Sequence, residues 1–256
     1  WYDIKMSKFI VITSGKGGTG KTTTAVNLAV AMTSLDEDVT LVDVNLTTPN
    51  VGLHLGAPVV PVTLNHVLSG KAELIDSVYE HESGTKIIPS SLSVNELKKL
   101  NEFDLNPIAK ELRQLSDVVI FDSAAGLGNE AVNAMKIADE IIIVTNPEMP
   151  AVTDALKTAK FAEEMGKDIK GVIVTRVKGS KYEMSLRSIS EMLELPIIGV
   201  VPEDVHVQEA LAARNAVVIN NPHSKAARSY KVIAANLLGK EIPKDNRGIF
   251  ARIFSR

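Results

Sequence analysis

The 256-residue sequence contains no cysteine. That absence excludes a disulfide framework, a thiolate zinc centre, an iron–sulfur cluster and a cysteine nucleophile together, and a reducing cytosol is the simplest expectation for its compartment. Aromatic residues make up only 4%, beside 45% hydrophobic and 23% charged residues, which is an ordinary globular balance. A formal net charge of −3 leaves no global positive field to draw the chain onto nucleic acid, so any basic patch has to be local. The longest apolar runs, such as Ile141–Val144 and Ile197–Val201, fall far short of the roughly 20 residues that cross a bilayer. The opening stretch from Trp1 to Met6 has neither a basic n-region nor a long apolar h-region and is not expected to act as a secretory signal. Internal repeats, low-complexity tracts and histidines at metal-ligand spacing are also missing.

What is present is an alternation. Short β-branched runs recur at Phe9–Thr13, Val39–Val42, Lys86–Ile88, Val118–Phe121, Ile141–Thr145, Gly171–Thr175 and Ile197–Val201, most of them continuously apolar, as strands buried on both faces require. Between them the spacing predicts helices over Lys21–Leu35, Pro107–Leu115, Asn129–Ala138, Thr153–Met165, Leu186–Leu193, Gln208–Ala213 and Lys225–Leu238. A β-α rhythm of this kind specifies an α/β fold with a doubly wound, mainly parallel sheet flanked by helices, whose ligands sit at the carboxyl ends of the strands. One core usually suffices at this length. A break near Gly239 to Asp245 divides the expected domain, residues 1–240, from a linker and tail, residues 241–256.

Directly after the first strand comes Gly15-Lys16-Gly17-Gly18-Thr19-Gly20-Lys21-Thr22, the P-loop pattern of Gly, four residues, Gly-Lys-Thr, in its proper strand-to-helix context. The glycines allow a tight turn whose N–H groups face phosphate oxygens, and the following helix adds its dipole. Lys21 would neutralise the β/γ oxygens, Thr22 would offer a hydroxyl to Mg²⁺, and Thr23 a further donor toward the α-phosphate. Lys16 is a second lysine inside the loop. One loop needs one cation near the γ-phosphate, so Lys16 either serves a phosphate held by a neighbouring subunit or is a solvated loop lysine.

Lys-Gly-Gly-Thr-Gly-Lys-Thr at 16–22 resembles the deviant Walker A motif of the MinD/ParA class of P-loop ATPases, in which the first lysine reaches across a nucleotide-sandwich dimer. The likeness extends along the chain. Val42-Asp43-Val44-Asn45 resembles the family's switch I, Phe121-Asp122-Ser123-Ala124-Ala125-Gly126-Leu127 its Walker B and switch II, and Thr145-Asn146-Pro147-Glu148 the segment at its dimer face. Asn50 to Gly56 and Pro202-Glu203-Asp204 are similar to MinD, in the archaeal style above all. The resemblance implies an ATPase using ATP and Mg²⁺, with Thr22, Asp43 and Asp122 around the metal. A charge at the end of the buried strand before Asp122 needs a partner; Mg²⁺ supplies one, and a structural loop-capping carboxylate is the other reading. Glu148 divides between a helix N-terminal charge favoured by the dipole and a contact across the dimer.

Three departures carry consequences. Where the family has the acidic residue of switch I that positions the attacking water, this chain has Asn45, a far weaker base without charge, so slow hydrolysis with nucleotide binding preserved is expected. Ser123-Ala124 replaces the usual Ala-Pro of switch II. Thr175-Arg176 replaces the family's Asn-Arg, which removes the usual amide contact to adenine and leaves Arg176 with backbone groups around Pro202 to Asp204 to read the base. No Asn-Lys-x-Asp guanine-reading segment is present, which favours ATP over GTP.

From Arg247 the tail reads Arg-Gly-Ile-Phe-Ala-Arg-Ile-Phe-Ser-Arg. At about 100° per residue Ile249, Phe250, Ile253 and Phe254 fill a sector of roughly 140°, with arginines outside it or at its edges. Such a helix either lies in an anionic membrane surface, as in the membrane-targeting sequence of MinD that it resembles, or packs back on its own domain. The expectation drawn from these features is an ATP-dependent homodimer, cytoplasmic and peripherally attached to the membrane, that positions a partner protein. A ParA-like DNA-partitioning ATPase is the alternative.

Overall fold

Continuously apolar strands cannot leave a face to water, and the chain covers both. In the computed structural model, which describes residues 7–57, 59–97 and 103–241, one sheet holds β1 (Lys8–Ser14), β2 (Val39–Asp43), β3 (Tyr79–Glu80), β4 (Lys86–Ile88), β5 (Val118–Ala125), β6 (Glu140–Thr145), β7 (Ile169–Val177) and β8 (Ile197–Pro202). Their order is β3-β4-β2-β5-β1-β6-β7-β8, parallel throughout except for the antiparallel β3–β4 edge pair. The helices are α1 (Lys21–Thr33), α2 (Val51–His54), α3 (Leu64–Leu68), α4 (Val94–Leu97), α5 (Asn106–Leu115), α6 (Asn129–Ile137), α7 (Met149–Glu164), α8 (Leu186–Leu193), α9 (Val205–Ala212), α10 (Val217–Asn220) and α11 (Lys225–Leu238).

Alternate residues of each strand serve opposite faces. Phe9, Val11, Val119 and Phe121 join Leu112 of α5, Ala134 of α6 and Ala155 of α7 in one core, where the Phe9 and Phe121 rings meet edge to face at 5.1 Å. Ile10, Ile12 and Ile120 join Leu28 of α1 and Tyr230 and Ile233 of α11 in the other. Each such burial contributes about 1.5–3 kcal/mol. β1 lies between β5 and β6, so the winding direction reverses at its carboxyl end, and that crevice is where an open α/β sheet holds a ligand. The doubly wound, mainly parallel sheet expected from the sequence is the fold observed.

Several boundaries moved. The helix expected from Thr153 begins at Met149, because Pro150 fits a first helical turn where no N–H is needed. The one expected from Gln208 begins at Val205, after Asp204, whose carboxylate caps it by accepting the His206 N–H. β5 runs on through Ser123 and Ala124 to Ala125. The two-residue β3 and the short α2, α3, α4 and α10 were beyond the reach of periodicity.

Candidate functional site

Gly15 to Thr22 forms a turn between β1 and α1. Gly18 and Gly20 adopt left-handed backbone, at φ of 81° and 87°, and Gly20 is the residue from which α1 starts. Left-handed residues inside a turn point successive N–H groups to one side and make an anion nest. Gly15 has no room for a side chain, since a Cβ there would lie 2.1 Å from the backbone of Asp154 in α7. Gly17 and Gly18 face open space. Lys21 is buried, and neither its ammonium nor that of half-buried Lys16 has a hydrogen bond or ion pair among the described residues. Thr19, 1% exposed, keeps a buried hydroxyl without a partner. The loop therefore holds two unpaired cations beside a nest of donors.

Asp43 ends β2 and pairs in register with Asp122, three residues before the end of the adjacent β5, and both are fully buried. Burial, with the neighbouring charge of Asp122 second, pushes the Asp43 carboxyl up to about 8, against three backbone N–H donors that favour its anion. Asp122 is raised as well, mainly by burial, while Lys21, the Thr22 hydroxyl and His54 pull the other way. The Thr22 hydroxyl donates to one Asp122 oxygen at 2.6 Å, and the other oxygen is buried with no hydrogen-bond partner among the described residues. Such an orphaned anionic acceptor beside a hydroxyl and a phosphate nest fits a hydrated divalent cation, held by Thr22 with Asp122 behind it. Asp43 is otherwise engaged. Its oxygens accept the N–H groups of Asn45 at 3.1 Å, Asn50 at 2.9 Å and Val51 at 3.0 Å, which staples the loop after β2 to the sheet.

Asn45, 6% exposed, gives its side-chain oxygen to the Thr48 N–H and hydroxyl at 3.2 and 3.1 Å. Its remaining polar group is the NH₂, a donor only. The tip of the same loop is bound to α6: the Thr47 N–H and hydroxyl both donate to Glu130 Oε1, at 3.1 and 2.7 Å. Gly126, at φ 77°, donates its N–H to the Ser14 carbonyl at 2.8 Å, joining the segment after β5 to the start of the P-loop. Sequence reasoning singled out neither Glu130 nor His54. The His54 Nδ1 lies 2.9 Å from the Asn50 carbonyl, which only accepts, so the proton sits on Nδ1.

Beside Gly20 and Thr23 opens a cavity of about 150 Å³ at the carboxyl ends of β7 and β8, bordered by Thr175, Arg176, Pro202, Asp204 and Tyr230. The structure thus brings the four positions expected around the base, Thr175, Arg176, Pro202 and Asp204, together with Thr23, expected toward the α-phosphate, to one wall of the phosphate loop. Two of their side chains are already committed. The Thr175 hydroxyl lies 2.6 Å from the Thr19 carbonyl and 2.9 Å from Asn146 Oδ1, so it braces the P-loop. Asp204 accepts from the His206 N–H and from the Ala226 N–H, tying α9 to α11. Arg176 is exposed at φ 55°, at an irregularity in the β7–β8 register. Tyr230, which no sequence signal marked, is buried with its hydroxyl 3.3 Å from that of Thr24. Glu148 is exposed at the start of α7 and caps nothing with its side chain. Ile249, Phe250, Ile253 and Phe254 lie outside the described residues. Among the described residues no helix is long and apolar enough to cross a membrane, and no group of three histidine, aspartate or glutamate side chains is placed to hold a metal unaided.

Comparison with known proteins follows the same lines. The family profile described as the CobQ/CobB/MinD/ParA nucleotide binding domain matches residues 10–218. An ATP-binding protein of Methanocaldococcus jannaschii is 41% identical over 234 residues, 91% of this chain and 89% of its own length. The septum site-determining protein MinD of Pyrococcus horikoshii, solved with Mg-ADP, superimposes with a TM-score of 0.87 at 33% identity, covering 93% of this chain and all of that one. MinD in a MinC:MinD complex from Aquifex aeolicus superimposes at 0.80 with 28% identity, over 93% of this chain and 98% of its own.

Proposed function

Starting from the MinD/ParA family of P-loop ATPases, to which this chain belongs, we propose that it is an ATP-dependent dimerising switch of the MinD type. The observation that carries the proposal is Lys16, an ammonium with no hydrogen bond or ion pair among the described residues, in a loop whose other lysine, buried Lys21, would serve the phosphates of a bound nucleotide. A triphosphate with Mg²⁺ still presents more negative charge than one protomer's Lys21 balances, and a second copy brings another Lys16 to it. Leu53, Leu127 and Met149, each 41–55% exposed, stand on segments that follow β2, β5 and β6, the same carboxyl edge of the sheet as the loop, and offer apolar surface that a partner protomer would cover.

Thr22 would hold a Mg²⁺ ion, Asp122 would order its water shell and Asp43 would keep the switch loop on the sheet; the ion would supply charge neutralisation to the triphosphate. Lys21 would draw charge from the bridging oxygen. Asn45 would orient a water by donating to it but has no free acceptor for the water's proton, so turnover would be slow and the dimer long-lived. The tail after residue 241 would lie on an anionic membrane through Ile249, Phe250, Ile253 and Phe254, and the paired state would recruit a partner protein, as a solved MinD does with MinC.

Size-exclusion chromatography with light scattering tests this directly. The intact chain should be a dimer with ATP and Mg²⁺ and a monomer without them, and Lys16→Ala should stay monomeric while still binding ATP. A Lys16→Ala variant that dimerises normally would remove the proposal.

A further inference from the structure

The cavity beside the P-loop has a wall that can hold a base but few side chains free to read one. Thr175 is committed to the Thr19 carbonyl, Asp204 to His206 and Ala226, and Tyr230 to Thr24. Among the described residues three long polar side chains remain on its border without a hydrogen-bond partner: Arg176, Glu203 and Gln208. A guanidinium only donates and a carboxylate only accepts. The edge of adenine alternates an amino donor with a ring-nitrogen acceptor, and only the carboxamide of Gln208 matches both, in the bidentate manner by which Gln and Asn read adenine elsewhere. Thr23 also carries a hydroxyl but sits next to Thr22, on the phosphate side.

We infer that Gln208 is the base-reading residue of this chain, supplying from α9 the amide that the end of β7 lacks. Gln208 follows the Asp204 cap by four residues and so lies above it on one face of α9. Because Asp204 also accepts from the first turn of α11, the start of α9 is tied to the domain, and exposed Gln208 stands one turn further along that helix on the cavity border. Arg176 and the apolar Pro202 and Val207 border the same cavity and would offer a base flat contacts, leaving its polar edge to Gln208.

This inference rests on the ATP-binding reading, and one calorimetric experiment separates the two. Wild type, Gln208→Ala and Gln208→Glu are titrated with ATP, GTP and inorganic tripolyphosphate, each with Mg²⁺. Gln208→Ala should weaken ATP about tenfold and leave tripolyphosphate unchanged. Gln208→Glu, which keeps the length and the acceptors but loses the donor, should lower the ratio of ATP to GTP affinity. If wild type binds neither ATP nor tripolyphosphate, the nucleotide-site reading falls and this inference with it. If wild type binds both and the two variants bind ATP as wild type does, or lose ATP and tripolyphosphate equally, Gln208 does not read the base.

Discussion

Asn45 commits its one acceptor to Thr48, so replacing it changes what faces the cavity without changing the turn. In Asn45→Asp one carboxylate oxygen takes over the Thr48 contacts and the second becomes an acceptor for a water proton. The ATPase rate should rise at least about tenfold, the low end of what a positioned base contributes, and a phosphate-release assay would show it. The buried pair of carboxylates sets a pH dependence. Asp43 in the folded chain ionises near 8 and in the unfolded chain near its ordinary value of 3.8, so between those values the folded state holds more protons. Stability of the nucleotide-free protein should therefore fall as pH rises from 4 through 8, and urea midpoints at pH 6 and 8.5 would record it. Asp122→Asn removes the neighbouring charge, which lies behind burial as a cause, and should flatten that slope in part.

Between elements, two contacts bind the site to the sheet. α7 passes so close to the P-loop that Gly15→Ala would drive its Cβ into the Asp154 backbone, and backbone cannot step aside as a flexible side chain does. A loss of at least about 3 kcal/mol in unfolding free energy is expected, with nucleotide binding lost as the loop shifts. The Thr47–Glu130 contact is gentler. It joins the loop after β2 to the helix after β5, so Glu130→Ala should release that loop and speed dissociation of a fluorescent ADP about twofold to fivefold, with thermal stability nearly unchanged because Thr47 is exposed and Glu130 only half-buried. The sequence made the strands, the phosphate loop and the paired aspartates legible because each depends on local composition: apolar runs, left-handed glycines, a charge closing a buried strand. Glu130, Tyr230 and the bracing role of Thr175 depend on partners tens of residues away, and Gln208 reaches the cavity border only through the fold, so nothing in their neighbourhoods betrays them. A spacing of four from the capping Asp204 was the one available hint for Gln208, and starting the helix at Gln208 itself concealed it.

For the molecule as a whole, the net charge of −3 opposes adsorption to an anionic surface, so any attraction has to come from the arginines and apolar residues after 246. A segment that short binds a bilayer weakly as a single copy. Pairing places two copies on one particle, and the second engagement becomes intramolecular, multiplying avidity by about 10²–10⁴ with no new contact. Vesicles with 30% anionic lipid should therefore sediment the intact chain when ATP and Mg²⁺ are present and release most of it when ADP replaces ATP. Lys16→Ala, expected to bind ATP without pairing, should behave as the ADP form does. A chain ending at Asp245 should still dimerise while leaving the vesicles bare. If that shortened chain sediments as well as the intact one, attachment comes from the domain itself, and the basic residues Arg176, Lys178, Lys181 and Arg187 become the surface to test, against DNA as well as lipid.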